Sequence, residues 1–120
     1  MGMHYFRELK VWQRAMLLAE LVYKEMADFP VEEKYGLRSQ LRRSVVSIAS
    51  NISEGAGRAT NKQFRQFLEF SMGSCNEAQT QIELSYRLGY IQKGKADLLL
   101  DEALQLYKML LTFYNTLKVD

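Results

Sequence analysis

Between residues 34 and 65 the chain carries seven basic side chains, Lys34, Arg38, Arg42, Arg43, Arg58, Lys62 and Arg65, against one acid, Glu54. Clustered Lys and Arg are the chemistry of phosphate binding: each cation displaces counterions, so affinity falls with salt and reads little base sequence. Arg38 and Arg42 stand one helical turn apart, a like-charge spacing that costs about 0.2–0.5 kcal/mol unless an anion compensates. That anion could be phosphate or a carboxylate. Residues 66 to 86 supply Glu69, Glu77 and Glu83 and no base. A hairpin closing around residues 57 to 61 would set Arg42 near Glu77, Arg38 or Lys34 near Glu83, and Glu54 near Arg65. Partly buried pairs of this kind fix register more than they add stability. Arg43, Arg58 and Lys62 have no acid opposite and are the first candidates for phosphate contact. Arg38, Arg42 and Arg65 join them if they are not paired internally.

Other arrangements carry less chemistry. Gln40, Ser44, Ser47, Asn51 and Glu54 recur at core-like spacing, as do Ser74, Glu77 and Gln81. Catalysis would need a nucleophile beside a base, or paired carboxylates in a cleft. The single histidine, His4, lies at the terminus, so the stripe reads as an inter-helix hydrogen-bond network. No catalytic residue is assigned and the chain is expected to be non-enzymatic. Gly55-Ala56-Gly57-Arg58 lacks the Gly-Lys-Ser/Thr ending and preceding strand of a phosphate-cradling loop, and reads as helix punctuation. The single cysteine, Cys75, excludes an internal disulfide and a cysteine metal cluster, so neither metal nor cofactor is expected. Tyr86, Tyr90, Tyr107 and Tyr114 could stack bases or serve subunit interfaces.

The elements that must position these residues are helical. A chain of 120 residues with one Pro and seven Gly, rich in good helix formers, makes a single all-α domain over residues 1–120. The first amphipathic segment runs from about Arg7 to Asp28, with Trp12, Met16, Ala19, Tyr23 and Met26 on one face, and ends at Phe29-Pro30. The second, about Glu33 to Glu54, carries Leu37, Leu41, Val45, Ile48 and Ile52; Gly55 and Gly57 stop it. Thr60 and Gln63 form a capping box that opens the third. Its seam is Phe64, Leu68, Ser71, Cys75, Ala78, Ile82, Ser85 and Gly89, with many small residues that admit a close neighbour. Gly94 separates it from the fourth, about Ala96 to Leu117.

In the fourth segment 13 of the 20 positions from Leu98 to Leu117 are apolar, more than one buried stripe accounts for. One face is Leu99, Ala103, Leu106, Leu110, Phe113 and Leu117; the other is Leu100, Leu104, Tyr107, Leu111 and Tyr114. The second face needs another partner, most simply a neighbouring subunit. Short connections favour an antiparallel up-down-up-down four-helix bundle.

The formal charge of +2 is too small to argue for nucleic acid by itself; only its distribution does. No stretch of about 18 residues is both apolar and uncharged, so no membrane span is expected. The first residues lack the features of a secretion signal, and a cytoplasmic protein is expected.

Taken together these motifs resemble the four-helix-bundle family of 23S rRNA intervening-sequence proteins. The likeness rests on Phe6, Leu9, Val11-Trp12, Ala15, Val22-Tyr23 and Phe29-Pro30, then Gln40-Leu41-Arg42-Arg43, Ser47-Ile48 and Asn51-Ile52-Ser53-Glu54-Gly55. Phe64, Phe67-Leu68, Gly73-Ser74, Glu77 and Leu88-Gly89-Tyr90 complete it, so that it spans about Phe6 to Ile91 and weakens in the fourth helix. The resemblance implies a bacterial up-down bundle, commonly a homopentameric barrel, and a relation to accessory proteins of diversity-generating retroelements, which work with nucleic acid. Met72 departs from it, standing where a basic residue is common, which weakens nucleic-acid binding through that face.

The expectation is a ring-like homo-oligomer, a pentamer by the resemblance. It binds RNA or DNA as an accessory factor through Arg43, Arg58 and Lys62, with Arg38, Arg42 and Arg65 contributing. The alternative is a ring-shaped scaffold that recruits a protein partner and binds no nucleic acid.

Overall fold

The computed structural model describes residues 4–33 and 36–119; Lys34, one of the residues expected to face Glu83, lies outside them. Among the described residues there are four α-helices and no strand: α1 Lys10–Glu25, α2 Leu37–Ala56, α3 Asn61–Arg87 and α4 Lys93–Thr116. Short 3-10 turns flank α1 at Phe6–Glu8 and Met26–Asp28, and another lies at Val31–Glu33. Consecutive helices pack side by side and α1 also meets α4, which closes an antiparallel four-helix bundle 48 × 23 × 20 Å in extent.

Local chemistry sets most helix ends. Phe29 takes an extended conformation before Pro30, as the proline ring demands, and α1 tightens into a 3-10 turn ahead of it. Thr60 accepts from the Gln63 backbone N–H at 3.2 Å and caps α3. At the other end of α3, the Gly89 N–H bonds to the Tyr86 carbonyl and the Tyr90 N–H to the Ser85 carbonyl, both at 2.9 Å. This double closure requires a left-handed residue, supplied by Gly89 at φ +80°. The break therefore falls at Gly89 and not at Gly94, which lies within the first turn of α4.

The glycines expected to stop α2 behave differently. Gly55 is inside the helix and buried, and Gly57 ends it at φ −86°, an ordinary right-handed conformation. Gly55 is needed for proximity: a Cβ there would stand 2.7 Å from the Phe67 Cβ and 2.8 Å from the Phe64 ring. The missing side chain lets α2 and α3 approach just before their turn.

The core runs the length of the bundle. All seven seam positions of α3 from Phe64 to Ser85 are buried, as are Leu41, Val45, Ile48 and Ile52 of α2 and Leu99, Ala103, Leu106, Leu110 and Leu117 of α4. Each large apolar side chain removed from water there contributes about 1.5–3 kcal/mol. The α1 face is a correction. Val11, Ala15, Leu18, Val22 and Met26 line the core, whereas Met16 and Tyr23 are exposed and Trp12 is half-buried. The helix has two adjacent apolar stripes, and the one with aliphatic residues fills the interior.

At one end of the bundle the chain is tied from both directions. The His4 N–H bonds to the Ala56 carbonyl at 2.9 Å, and the Asn61 amide donates to the Lys118 carbonyl at 3.0 Å. The His4 ring packs against Phe64 and Phe113, with ring centres 5.2 and 6.2 Å apart.

Candidate nucleic-acid interface

The polar stripes of α2 and α3 do meet. Ser47 and Ser74 hydroxyls lie 3.0 Å apart, and the Asn51 amide donates to the Ser47 hydroxyl at 3.0 Å. Ser44 Oγ stands 2.8 Å from carboxylate oxygen of Glu77 and 2.8 Å from the side-chain amide of Gln81. The Gln81 atom is its amide oxygen and the Gln40 carbonyl lies 3.0 Å away as well, so the single Ser44 proton is shared among three acceptors. Deeper in, the buried Ser71 hydroxyl donates to the Ile48 carbonyl at 2.9 Å. The stripe grades from buried Ser44 to exposed Gln40, Glu54 and Glu77, so its rim is wetter than a sealed network.

That wiring leaves the basic residues without the partners expected of them. No ion pair joins Arg42 to Glu77, Arg38 to Glu83 or Arg65 to Glu54. Glu83 is 3.0 Å from Arg87, and Glu54 is 3.8 Å from Arg58, each one turn away on or beside its own helix. The arginines turn sideways onto aromatic rings instead. The guanidinium carbon of Arg42 lies 4.8 Å from the centre of Tyr23 on α1, that of Arg58 4.6 Å from Phe67, and that of Arg65 4.1 Å from Tyr114 on α4. Cation–π contacts at such sites contribute about 0.5–1 kcal/mol and leave the N–H edges of the plane available. Tyr114 in turn donates to Glu69 at 2.6 Å. Arg43 and Lys62 are exposed and make no ion pair within the described residues.

The six candidates form two groups. Arg38, Arg42 and Arg43 sit in the first two turns of α2, while Arg58, Lys62 and Arg65 surround the α2–α3 turn. Fourteen residues of helical rise separate Arg42 from Ala56 at the end of α2, about 21 Å, and Arg58 lies just beyond. At the turn end, Lys62, Arg65, Gln66, Glu69, Tyr114 and Val119 line a cavity of about 400 Å³. At the start of α2 the Nε atoms of Arg38 and Arg42 are buried without a hydrogen-bond partner. The aromatic seats of Arg42 and Arg65 were not read from the sequence. The signal was present: Tyr23 and Tyr114 both belong to the apolar stripes that the core does not use.

The tyrosines divide likewise. Tyr86 is exposed, whereas Tyr90, Tyr107 and Tyr114 are half-buried, and Tyr90 donates to Glu33 at 3.1 Å. Burial and the Glu33 carboxylate push the Tyr90 phenol above its ordinary pKa.

Nothing else converges into reactive geometry. Burial pushes the Cys75 thiol up to about 11, and it donates to the Ala103 carbonyl at 3.2 Å. A larger cavity, about 520 Å³, lies between the start of α1 and the last turns of α4 and is lined largely by Leu9, Val11, Met109 and Phe113. Among the described residues no group of three or more His, Cys, Asp or Glu could hold a metal ion, and no helix is long and apolar enough to cross a membrane.

The chain matches the family described as 23S rRNA-intervening sequence protein over residues 7–112, which carries the likeness well into α4 and beyond the Ile91 limit read from motifs. No curated protein matches it. Among solved structures, a protein of unknown function from the S23 ribosomal protein family of Bacteroides thetaiotaomicron VPI-5482 superposes with a TM-score of 0.78. The two are 21% identical, covering 87% of this chain and 97% of that one, so the likeness is one of fold.

Proposed function

We propose, from the premise that this chain belongs to the 23S rRNA-intervening sequence protein family, that it is a cytoplasmic, non-enzymatic accessory protein that binds RNA or DNA as a ring-like homo-oligomer, a pentamer. The observation that carries the nucleic-acid reading is the group at the α2–α3 turn. Lys62 makes no ion pair among the described residues, the guanidinium carbons of Arg58 and Arg65 lie over the rings of Phe67 and Tyr114, and Arg58 shares Glu54 at 3.8 Å. A guanidinium seated over an aromatic ring is pre-organised, so its N–H groups reach phosphate with less loss of freedom. In a ring of parallel bundles this group recurs on one rim. Several weak phosphate sites then act together through effective concentration.

Such binding is salt-dependent and nearly indifferent to sequence. The test is titration of a mixed short single-stranded RNA and DNA pool at a series of salt concentrations. The comparison protein carries Arg58→Ala, Lys62→Ala and Arg65→Ala. Loss of affinity and a shallower salt slope, by about 0.7 per contact removed from each single strand, supports the reading. Affinity and slope unchanged by the triple substitution would overturn it.

A second reading is a ring-shaped scaffold for a protein partner. What favours it is the half-exposed apolar stripe on α4, with Leu104 and Leu111 each 41% accessible. An assembly that elutes without nucleic acid at both low and high salt, and retains one protein partner after nuclease treatment, selects the scaffold.

A further inference from the structure

The start of α3 sorts its side chains by chemistry. From residue 58 to residue 68 the chain carries Arg58, Lys62 and Arg65 and no acid. The first acid beyond, Glu69, accepts a hydrogen bond from Tyr114 of α4, and Glu54 on the other side of the turn is shared with Arg58 at 3.8 Å. Beside these cations stand two phenylalanines where a helix surface usually carries polar groups. Phe67 is half-buried and Phe70 is 49% accessible. Their ring centres are 5.7 Å apart with the planes at 82°, and the Arg58 guanidinium carbon lies 4.6 Å from the centre of Phe67. The Arg58 cation and the Phe70 ring are therefore no more than about 10 Å apart.

The surroundings keep Phe70 open. Long helical side chains lean toward the helix N-terminus, so Phe70 points back toward Phe67 and Lys62, and a side chain one turn further on would overhang it. That position is Gly73, where even a Cβ would meet nothing within 4 Å. Ser74 is turned to Ser47 at 3.0 Å. Gln63 and Gln66, both exposed, add uncharged amides beside the rings. Glu77, two turns beyond Phe70, lies 2.8 Å from Ser44.

We infer that this end of the bundle takes single-stranded nucleic acid: an unpaired base stacks on Phe70, and the adjoining phosphates lie on Arg58 and Lys62. Phe67 touches both parts of that site, seating the guanidinium and bracing the Phe70 ring. The inference rests on the nucleic-acid reading above and deepens it by naming the strandedness of the ligand. Cations alone make the opposite choice. A duplex carries the denser charge, with a salt slope of about 0.9 per phosphate contact against about 0.7 for a single strand, so a purely basic surface favours duplex. An open aromatic ring reverses the order. The base faces of a duplex are spent on its own stack, whereas an unpaired base offers one, whatever its identity. An apolar protein segment would also cover Phe70, but it would leave the cations beside the ring without anions.

The test measures binding of a short oligothymidine and of a mixed-sequence duplex of the same length by fluorescence anisotropy. The wild-type chain is compared with Phe70→Leu and Phe70→Trp, each checked by circular dichroism and on a sizing column. Leucine keeps the site apolar and removes the stacking face. The wild-type chain should prefer the strand. Phe70→Leu should weaken strand binding about fivefold or more while leaving duplex binding and the salt slope unchanged, since no charge is lost. Phe70→Trp should keep strand affinity, and the strand should quench its indole emission beyond any change that the wild-type chain shows through Trp12. A duplex bound as tightly as the strand, or strand affinity untouched in Phe70→Leu, overturns the stacking site. If Arg58→Ala, Lys62→Ala and Arg65→Ala together still remove binding in that case, the nucleic-acid reading itself stands. A wild-type chain that binds neither probe overturns both. A lower mass in Phe70→Leu would make the ring a contact between protein chains and likewise overturn the inference.

Discussion

The α2–α3 seam and the outer face of α4 are nearly inverse in chemistry. The seam puts Ser44, Ser47, Ser71 and Ser74 where a bundle usually places aliphatic residues, and satisfies them with carboxylate, hydroxyl, amide and carbonyl partners at 2.8–3.0 Å. The α4 face puts Leu104 and Leu111 where a bundle usually places charge, and leaves them to solvent. Polar groups inside are tolerable because each finds its hydrogen bond within the chain, and small side chains let two backbones come close. Apolar groups outside find nothing within the chain. The first pattern specifies the fold, and the second points beyond the single subunit.

Substitutions that separate fold from assembly sharpen this contrast. The largest effect belongs to Phe64→Ala, which empties the seam next to Gly55 and His4 and should cost about 3–5 kcal/mol in chemical denaturation. A loss under 1 kcal/mol would break the comparison, since the seam would then not be the tightly packed side. Gly55→Ala follows at about 1–3 kcal/mol, because its new methyl group meets Phe64 and Phe67 inside contact distance.

A third test uses pH. Cys75 keeps its proton in the folded chain up to about 11, against 9.0 for an unperturbed thiol. The folded state therefore binds more protons within that window. The stability involved is fully present below pH 9 and is lost as pH rises through 11. Melting temperature should fall more steeply between those values in the wild-type chain than in Cys75→Ala.

Gly73 offers a smaller effect of opposite sign. It is exposed in the middle of α3, and a Cβ there would meet nothing within 4 Å. Gly73→Ala should therefore raise stability by about 0.5–1 kcal/mol. Smallest in stability, yet decisive for assembly, is Leu104→Glu with Leu111→Glu: denaturation midpoints should move by no more than about 0.5 kcal/mol per site, while the mass in solution drops. A mass unchanged by two buried-sized carboxylates would make the α4 face an ordinary wetted surface.

The fold was legible wherever one pattern had no competitor. The α3 seam, written in Phe64, Leu68, Cys75 and Ile82 with Ser71 and Ala78 between and Ser85 after, could face only one way. In α1 two apolar stripes lie side by side, and spacing alone cannot say that Val11 and Leu18 go inside while Met16 and Tyr23 stay out. Glycine was ambiguous for a similar reason. It can supply a left-handed turn, as Gly89 does, or close approach, as Gly55 does, and the letter is the same. The six candidate bases were readable as residues, but their surroundings were not. A folded-hairpin register pairs positions across one seam, whereas Arg42 and Arg65 reach away from that seam to rings on α1 and α4.

The ties from His4 to Ala56 and from Asn61 to Lys118 have a practical consequence. They bring the first and last described residues to the same pole of the bundle as Arg58, Lys62 and Arg65. An affinity handle or fluorescent protein fused at either extremity would hang over those cations. In a ring of parallel copies it would also crowd its neighbours around one opening. Binding assays on this chain should be run with such additions cleaved, and a negative result from a fused form is a statement about steric shielding.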